Sequence, residues 1–170
     1  MSAGVNQRDL FSGSHTIRWS DRYRPVVQFL MNGVEEGQNK DSLFKLYVDV
    51  VCFAAGVGLM VGERQPLSGG KLQQIELTTF HNNSLSIWIL LIALLSSSEP
   101  NIELLRDEKT ESEAIVIFEE YACAGLSYLQ DKFNSETIET PYFFVKNVLT
   151  ELVENGADSL LPPTVGIELF

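Results

Sequence analysis

The stretch Glu111–Phe133 reads ESEAIVIFEEYACAGLSYLQDKF, and its periodicity decides the fold class. Ile115, Phe118, Ala122, Leu126, Leu129 and Phe133 follow one another at steps of three and four, the spacing that lines one face of an α-helix. At about 100° per residue, Glu119 falls only about 40° from the centre of that stripe. A carboxylate in that position is expected to be semi-buried. Ile117, Tyr121 and Tyr128 fall on a second face, so the helix should be contacted from two sides, and these three residues form a candidate interaction face.

Working outward, Pro25 fits only the first turn of a helix, which places one from Asp21–Arg24 to about Gly33. Leu43 to Val57 is apolar on nearly every side, with Asp41 or Ser42 as the expected cap. Its small-chained end, AAGVGLMVG, lets another backbone approach closely, and Gly62 suits a left-handed stop. Ile75, Leu77 and Thr79 alternate with polar residues, which predicts a strand within 71–80. Its candidate partners are the tail Thr164–Phe170 and the segment near Ile17. Asn82, Asn83 or Ser84 should cap LSIWILLIALL, which is apolar all round and is expected to be the central buried helix over 84–97. Thr140 and Pro141 open a last helix, which Asn155–Gly156 should close. The expected fold is mainly α, a compact bundle of about five helices around that central helix with a minor β element. The expected organisation is a flexible stretch over 1–15, one helical domain over 16–156 and an extended tail over 157–170.

The chain has 170 residues, 45% of them hydrophobic, with a formal net charge of -11. That apolar fraction supports a core and excludes intrinsic disorder. The acidity is unevenly distributed: Met1–Phe80 carries eight bases against eight acids, whereas His81–Phe170 carries four against fifteen. Such a chain is expected to be electrostatically two-ended, with an arginine-bearing patch and an acidic face suited to a basic partner surface. The first fifteen residues have no basic region followed by an apolar core, and no apolar run approaches the ~20 residues needed to span a bilayer. The chain therefore reads as soluble and cytoplasmic, without a membrane partner. Cys52 and Cys123 are too few for a zinc cage or a disulfide framework and read as buried free thiols.

Catalytic motifs fail at specific positions. GVGLMV from Gly56 has Val61 where a dinucleotide fingerprint needs Gly or Ala, and GGK at Gly69 is followed by Leu72 in place of Ser or Thr. His15 and His81 have no nucleophile elbow beside them. Asp107, Glu108, Glu111 and Glu113 cluster at a helix start, where the helix dipole itself favours acids. No metal, cofactor or catalytic residue is expected. Glu119 stands apart, because burying a carboxylate is costly unless it is paired. It is expected to anchor an ion pair with Arg18, Arg22, Arg24 or Arg64, with a ligand or partner site as the alternative. Arg18, Trp19, Arg22 and Arg24, with Tyr23 between them and Arg64 elsewhere, form a candidate nucleic-acid or partner-binding set, since bases interleaved with aromatics can grip phosphates and stack on bases. The same arginines also suit internal pairing.

Four segments carry a family resemblance: RP at Arg24–Pro25, YVDVVCFAAGVGL at Tyr47–Leu59, ERQPL at Glu63–Leu67 and FEEYACAGLSYL at Phe118–Leu129. Together they resemble the Dnd system-associated protein four family of bacterial DNA phosphorothioation systems, over about Ile17 to Phe133. The departure lies at Cys123–Ala124, where the family pattern has a more polar, Gly-containing pair. The resemblance implies an accessory component of a DNA-modification and restriction system in anti-phage defence, and it carries over no catalytic residue. The expected function is thus a non-enzymatic subunit that binds a protein of such a system. A DNA-binding accessory using the Arg18–Arg24 patch is the second reading, and a carboxylate-dependent nuclease the third. Self-association stays open.

Overall fold

The three-and-four periodicity of 111–133 becomes one long helix in the computed structural model, which describes residues 11, 15–32, 42–97, 108–135, 137 and 140–160. In chain order the elements are β1 (Thr16–Ser20), a 3-10 turn (Asp21–Tyr23), α1 (Arg24–Asn32), α2 (Tyr47–Val61), β2 (Leu72–Glu76), α3 (Leu77–Asn82), α4 (Ser86–Leu95), α5 (Glu108–Ser135) and α6 (Pro141–Leu160). The fold is mainly α with a minor β element. Of the flexible stretch expected over 1–15, residues 1–10 and 12–14 lie outside the described residues and Phe11 is buried in the core; of the extended tail expected over 157–170, residues 161–170 lie outside them and 157–160 belong to α6.

Helix α5 is the centre of the molecule. Its stripe residues from Ile115 to Leu129 are buried, and α1, α2, α4, β1 and the 3-10 turn all pack on it. Helix α2 lies closest, because small residues meet at the crossing. A Cβ added to Gly58 would fall onto the Tyr121 carbonyl, and one added to Gly125 would stand 2.9 Å from the Gly58 nitrogen and closer still to the Ala54 carbonyl. The close backbone approach expected of AAGVGLMVG is therefore present, with Gly125 as its counterpart.

The apolar helix over 84–97 is not the central one. α4 buries Ser86, Ile89, Leu90, Ile92 and Ala93, but Ile87, Trp88, Leu91 and Leu95 are exposed. Centrality fell to α5 because it is long, has two apolar faces and admits α2 at backbone distance.

Other boundaries shift for local reasons. α2 begins at Tyr47, where the Asp49 carboxylate accepts from the Leu46 amide at 3.2 Å, and not behind Ser42; Asp41 lies outside the described residues. The Leu43 and Phe44 amides instead donate to the Leu30 carbonyl, both at 3.3 Å, tying this segment to the end of α1. Gly62 closes α2 with φ 78°, as its sequence position suggested. β2 pairs antiparallel with β1, Ile17 opposite Ile75 and Arg18 opposite Gln74, so the segment near Ile17 is the strand's partner. The strand ends at Glu76: Leu77 and Phe80, three apart, are both buried, a helical spacing that overrides the alternation of Ile75, Leu77 and Thr79. Asn83 does not cap α4, since its side-chain amide donates to the Thr79 carbonyl at 2.7 Å and closes α3; α4 starts at Ser86 after Ser84 turns the chain with φ 59°. In α6 the Thr140 hydroxyl accepts from the Phe143 amide at 3.4 Å, and Pro141 takes the first helical position. The helix continues past Asn155–Gly156 to Leu160, since one helical glycine costs only about 1 kcal/mol. No helix among the described residues is long and apolar enough to cross a membrane.

The crossing predicts opposite outcomes for neighbouring glycines of α2. Gly58→Ala and Gly125→Ala must move backbone and should lose about 1–3 kcal/mol or more. Gly56→Ala meets nothing within 4 Å and should gain roughly 0.5–1 kcal/mol from helix propensity. Urea titrations of the three variants check the signs, and equal destabilisation of all three would refute the close crossing.

Candidate functional site

β1 carries Arg18 to the flank of α5, where Glu119 waits on the same side as the buried stripe. The Glu119 side chain is only 2% exposed, against 44% for Arg18. Its Oε1 accepts from the Arg18 backbone amide at 2.7 Å and from Arg18 Nε at 3.1 Å, and its Oε2 accepts from Arg18 Nη2 at 2.8 Å. One carboxylate thus binds a forked guanidinium and also the N–H that β1 turns toward α5, away from its own ladder. The hydrogen bond to Glu119, and then the attraction of its charge, raise the Arg18 pKa.

The next residue of α5 makes the matching connection on another side. Glu120 Oε2 accepts from Arg64 Nε at 2.7 Å, and its carbonyl accepts from the Gln65 amide at 3.1 Å, so the loop after α2 is fastened to α5. The Arg64 guanidinium also stands 6.0 Å from the centroid of Tyr121. Sequence reasoning offered Arg64 to Glu119 and missed Glu120. The available signal was that two adjacent helical acids point about 100° apart and can serve two different segments.

Arg24 pairs with Asp21, which also accepts from the Gln73 side chain at 2.9 Å. The Arg24 guanidinium holds the Asp21 carboxyl below its usual range. Arg22 is different: among the described residues it makes no ion pair, and its guanidinium lies 4.5 Å from the centroid of Tyr23 and bonds the phenol oxygen. Burial raises the Tyr23 pKa, and its hydroxyl stands 3.9 Å from Cys123 Sγ. Trp19 is buried and stacks on Tyr47 with centroids 5.9 Å apart. Both aromatics of the expected phosphate-gripping set, Trp19 and Tyr23, are therefore inside the fold, and three of its arginines face carboxylates.

The second face of α5 is also largely covered. Tyr121 is buried, while Ile117 and Tyr128 are half-buried and packed against the core. The expected two-sided contact is present, but it is made by the protein's own elements. Of the acids at the start of α5, Asp107 and the Glu108 side chain lie outside what is described; among the described residues, Glu111 and Glu113 included, no three of His, Cys, Asp and Glu come together. What sequence reasoning missed is the outward face of α4, hidden by the assumption that an all-apolar helix is buried all round.

Both cysteines are free. Burial, with the Asp49 charge second, pushes the Cys52 thiol up to about 12, and burial raises Cys123.

A family model described as DNA sulphur modification system-associated protein 4 matches residues 27–156. No curated protein and no solved structure gives a match. The match begins after Arg24–Pro25 and runs beyond Phe133, so it lies further toward the carboxyl end than the resemblance read from Ile17 to Phe133.

The Arg18–Glu119 pair should respond asymmetrically to truncation. Arg18→Ala strands a buried carboxylate and should cost roughly 3 kcal/mol, the order found for breaking buried pairs. Glu119→Gln removes the buried charge and leaves a half-exposed guanidinium free to hydrate, so about 1–2 kcal/mol is expected. Equal losses in denaturant melts would contradict this arrangement. The thiols should resist Ellman's reagent at pH 8 in the native protein and react within the mixing time in guanidinium. Rapid native labelling would show that one of them is an accessible thiolate.

Proposed function

Since the chain belongs to the DNA sulphur modification system-associated protein 4 family, we propose that it serves in such a system as a non-enzymatic accessory subunit that binds another of the system's proteins. The observation that carries this reading is the engagement of the arginines. Arg18, Arg24 and Arg64 each face a carboxylate of their own chain, so these cationic groups, although solvent-accessible, are already neutralised by intramolecular partners before any phosphate arrives. Glu119, the one deeply buried acid among the described residues, has both oxygens on Arg18 and presents no free carboxylate to a metal or a water. The charge excess lies in the second half of the chain and favours a basic protein surface over an anionic polymer. The system's DNA chemistry belongs, in this reading, to its partners, and the setting is anti-phage defence in the cytoplasm.

The DNA-binding alternative keeps one specific support: the exposed Arg22, free of any carboxylate among the described residues. Two measurements separate the readings. Tagged full-length chain, co-expressed with its sulphur modification gene cluster, should recover a cluster protein after nuclease treatment. Labelled plain and phosphorothioated duplexes should show no salt-dependent shift, since a protein neutralising several phosphates would bind more weakly as salt rises. A shift at low salt that disappears in Arg22→Ala with Arg24→Ala would replace the protein-binding reading with the DNA-binding one.

A further inference from the structure

Helix α4 has no charged residue along its length, and only half of its surface is inside the molecule. Ile87, Trp88, Leu91 and Leu95 are 42%, 50%, 37% and 66% exposed, and at about 100° per residue they fall within one 100° arc. Scattered exposed apolar residues are ordinary on a protein surface, but four large ones in a row on one helix face are not. Beside this face runs a shallow cleft between α4 and α5, walled by Leu90, Leu94, Ala114 and Ile117, with Thr110 and Glu113 among its lining. Val116, 44% exposed on α5, is a fifth large apolar side chain in this part of the chain.

The charge around the face selects its occupant. Glu113 is exposed and has no ion-pair partner among the described residues, and the face belongs to the half of the chain that holds four bases against fifteen acids. A second copy docking face to face here would bring one uncompensated Glu113 carboxylate toward the other. An anionic lipid surface would be repelled for the same reason. A cationic segment is attracted, and a helix that offers apolar side chains at steps of three and four with Lys or Arg on its flanks satisfies the apolar face, the cleft and the charge together. We propose that the exposed face of α4 and the α4–α5 cleft form the docking site for a basic amphipathic helix of another protein of the sulphur modification system. This assignment rests on the protein-binding reading above and gives that reading a place and a partner chemistry.

The test uses the full chain co-expressed with its gene cluster, followed by recovery of the cluster protein and cross-linking mass spectrometry. Trp88→Glu with Leu95→Glu should reduce recovery at least tenfold with an unchanged melting temperature, since both side chains already face water. Glu113→Lys, which leaves the apolar face intact, should weaken recovery severalfold and flatten its salt dependence. Cross-links from 86–117 should map to a Lys- or Arg-flanked apolar segment of the partner. Undiminished recovery by the double variant would remove the α4 site and leave the protein-binding reading standing. Failure of the wild-type chain to recover any cluster protein would remove both. A wild-type dimer that becomes a monomer in the double variant, or vesicle binding by wild type that the double variant loses, would assign the face to self-association or to a membrane and overturn the proposal.

Discussion

The close crossing of α2 and α5 is the constraint on which the other contacts depend. Gly58 and Gly125 carry no side chain where the two backbones meet, and the Ala54 and Tyr121 carbonyls occupy the space that a Cβ would need. Dispersion falls off steeply with separation, so backbones in contact give both helices a dense common wall. With α2 drawn that close, α5 is left with a free flank on which β1 can lie and an end of α2 from which the following loop can reach back. The polar side chains of α5 then serve backbone amides of other segments: Glu119 that of Arg18, and Gln130 that of Val26. A central helix is usually lined with apolar atoms alone. This one also supplies hydrogen-bond acceptors to chain segments that could not complete their own ladders.

The same arrangement explains why three arginines close together in the sequence have three different partners in the fold. Arg18, Arg22 and Arg24 are close along the chain, but a strand, a 3-10 turn and a helix start point them in different directions. Arg18 turns to α5, Arg24 turns back three residues to Asp21, and Arg22 lies on its neighbour Tyr23. Burying Glu119 is tolerable because its partner is a planar fork that matches two carboxylate oxygens while remaining half in water. The desolvation cost is thus borne mainly by one ion. The carboxylates of the Arg64–Glu120 and Arg24–Asp21 pairs are more exposed than Glu119, so solvent screens these pairs more strongly.

How much was legible followed from how local the cause was. The long helix, the buried position of Glu119, the left-handed stop at Gly62, Pro25 in a first turn and the small-chained run of α2 are all fixed by spacing or by one residue's conformational freedom, and each appears in the structure. The failures came where a tertiary partner decides. Hydropathy says that LSIWILLIALL is apolar but not how many neighbours cover it, so α4 was assigned to the centre although α5 lies there. Alternation carried the strand too far because Leu77 and Phe80 are both wanted by the core, and a helical turn delivers both. Glu120 was overlooked for a related reason: its role depends on where the loop after α2 returns, a distance no local pattern encodes.

The family match starts at residue 27, yet the folded unit does not. β1 lies wholly before that boundary and is the strand that pairs with β2, its register running from Thr16 opposite Glu76 to Ser20 opposite Leu72. Ile17 and Trp19, both buried, fill the space under the sheet, and Arg18 neutralises a carboxylate that sits well inside the matched region. The matched segment alone would hold a single strand without the β1 ladder and a buried Glu119 without its Arg18 counter-charge, and among the described residues after position 27 no strand pairs with β2 and Arg64 already faces Glu120. The segment before the match is therefore a structural part of the unit that the match identifies. Arg18 and Arg24 are held in place by that role, each on a carboxylate of the same chain.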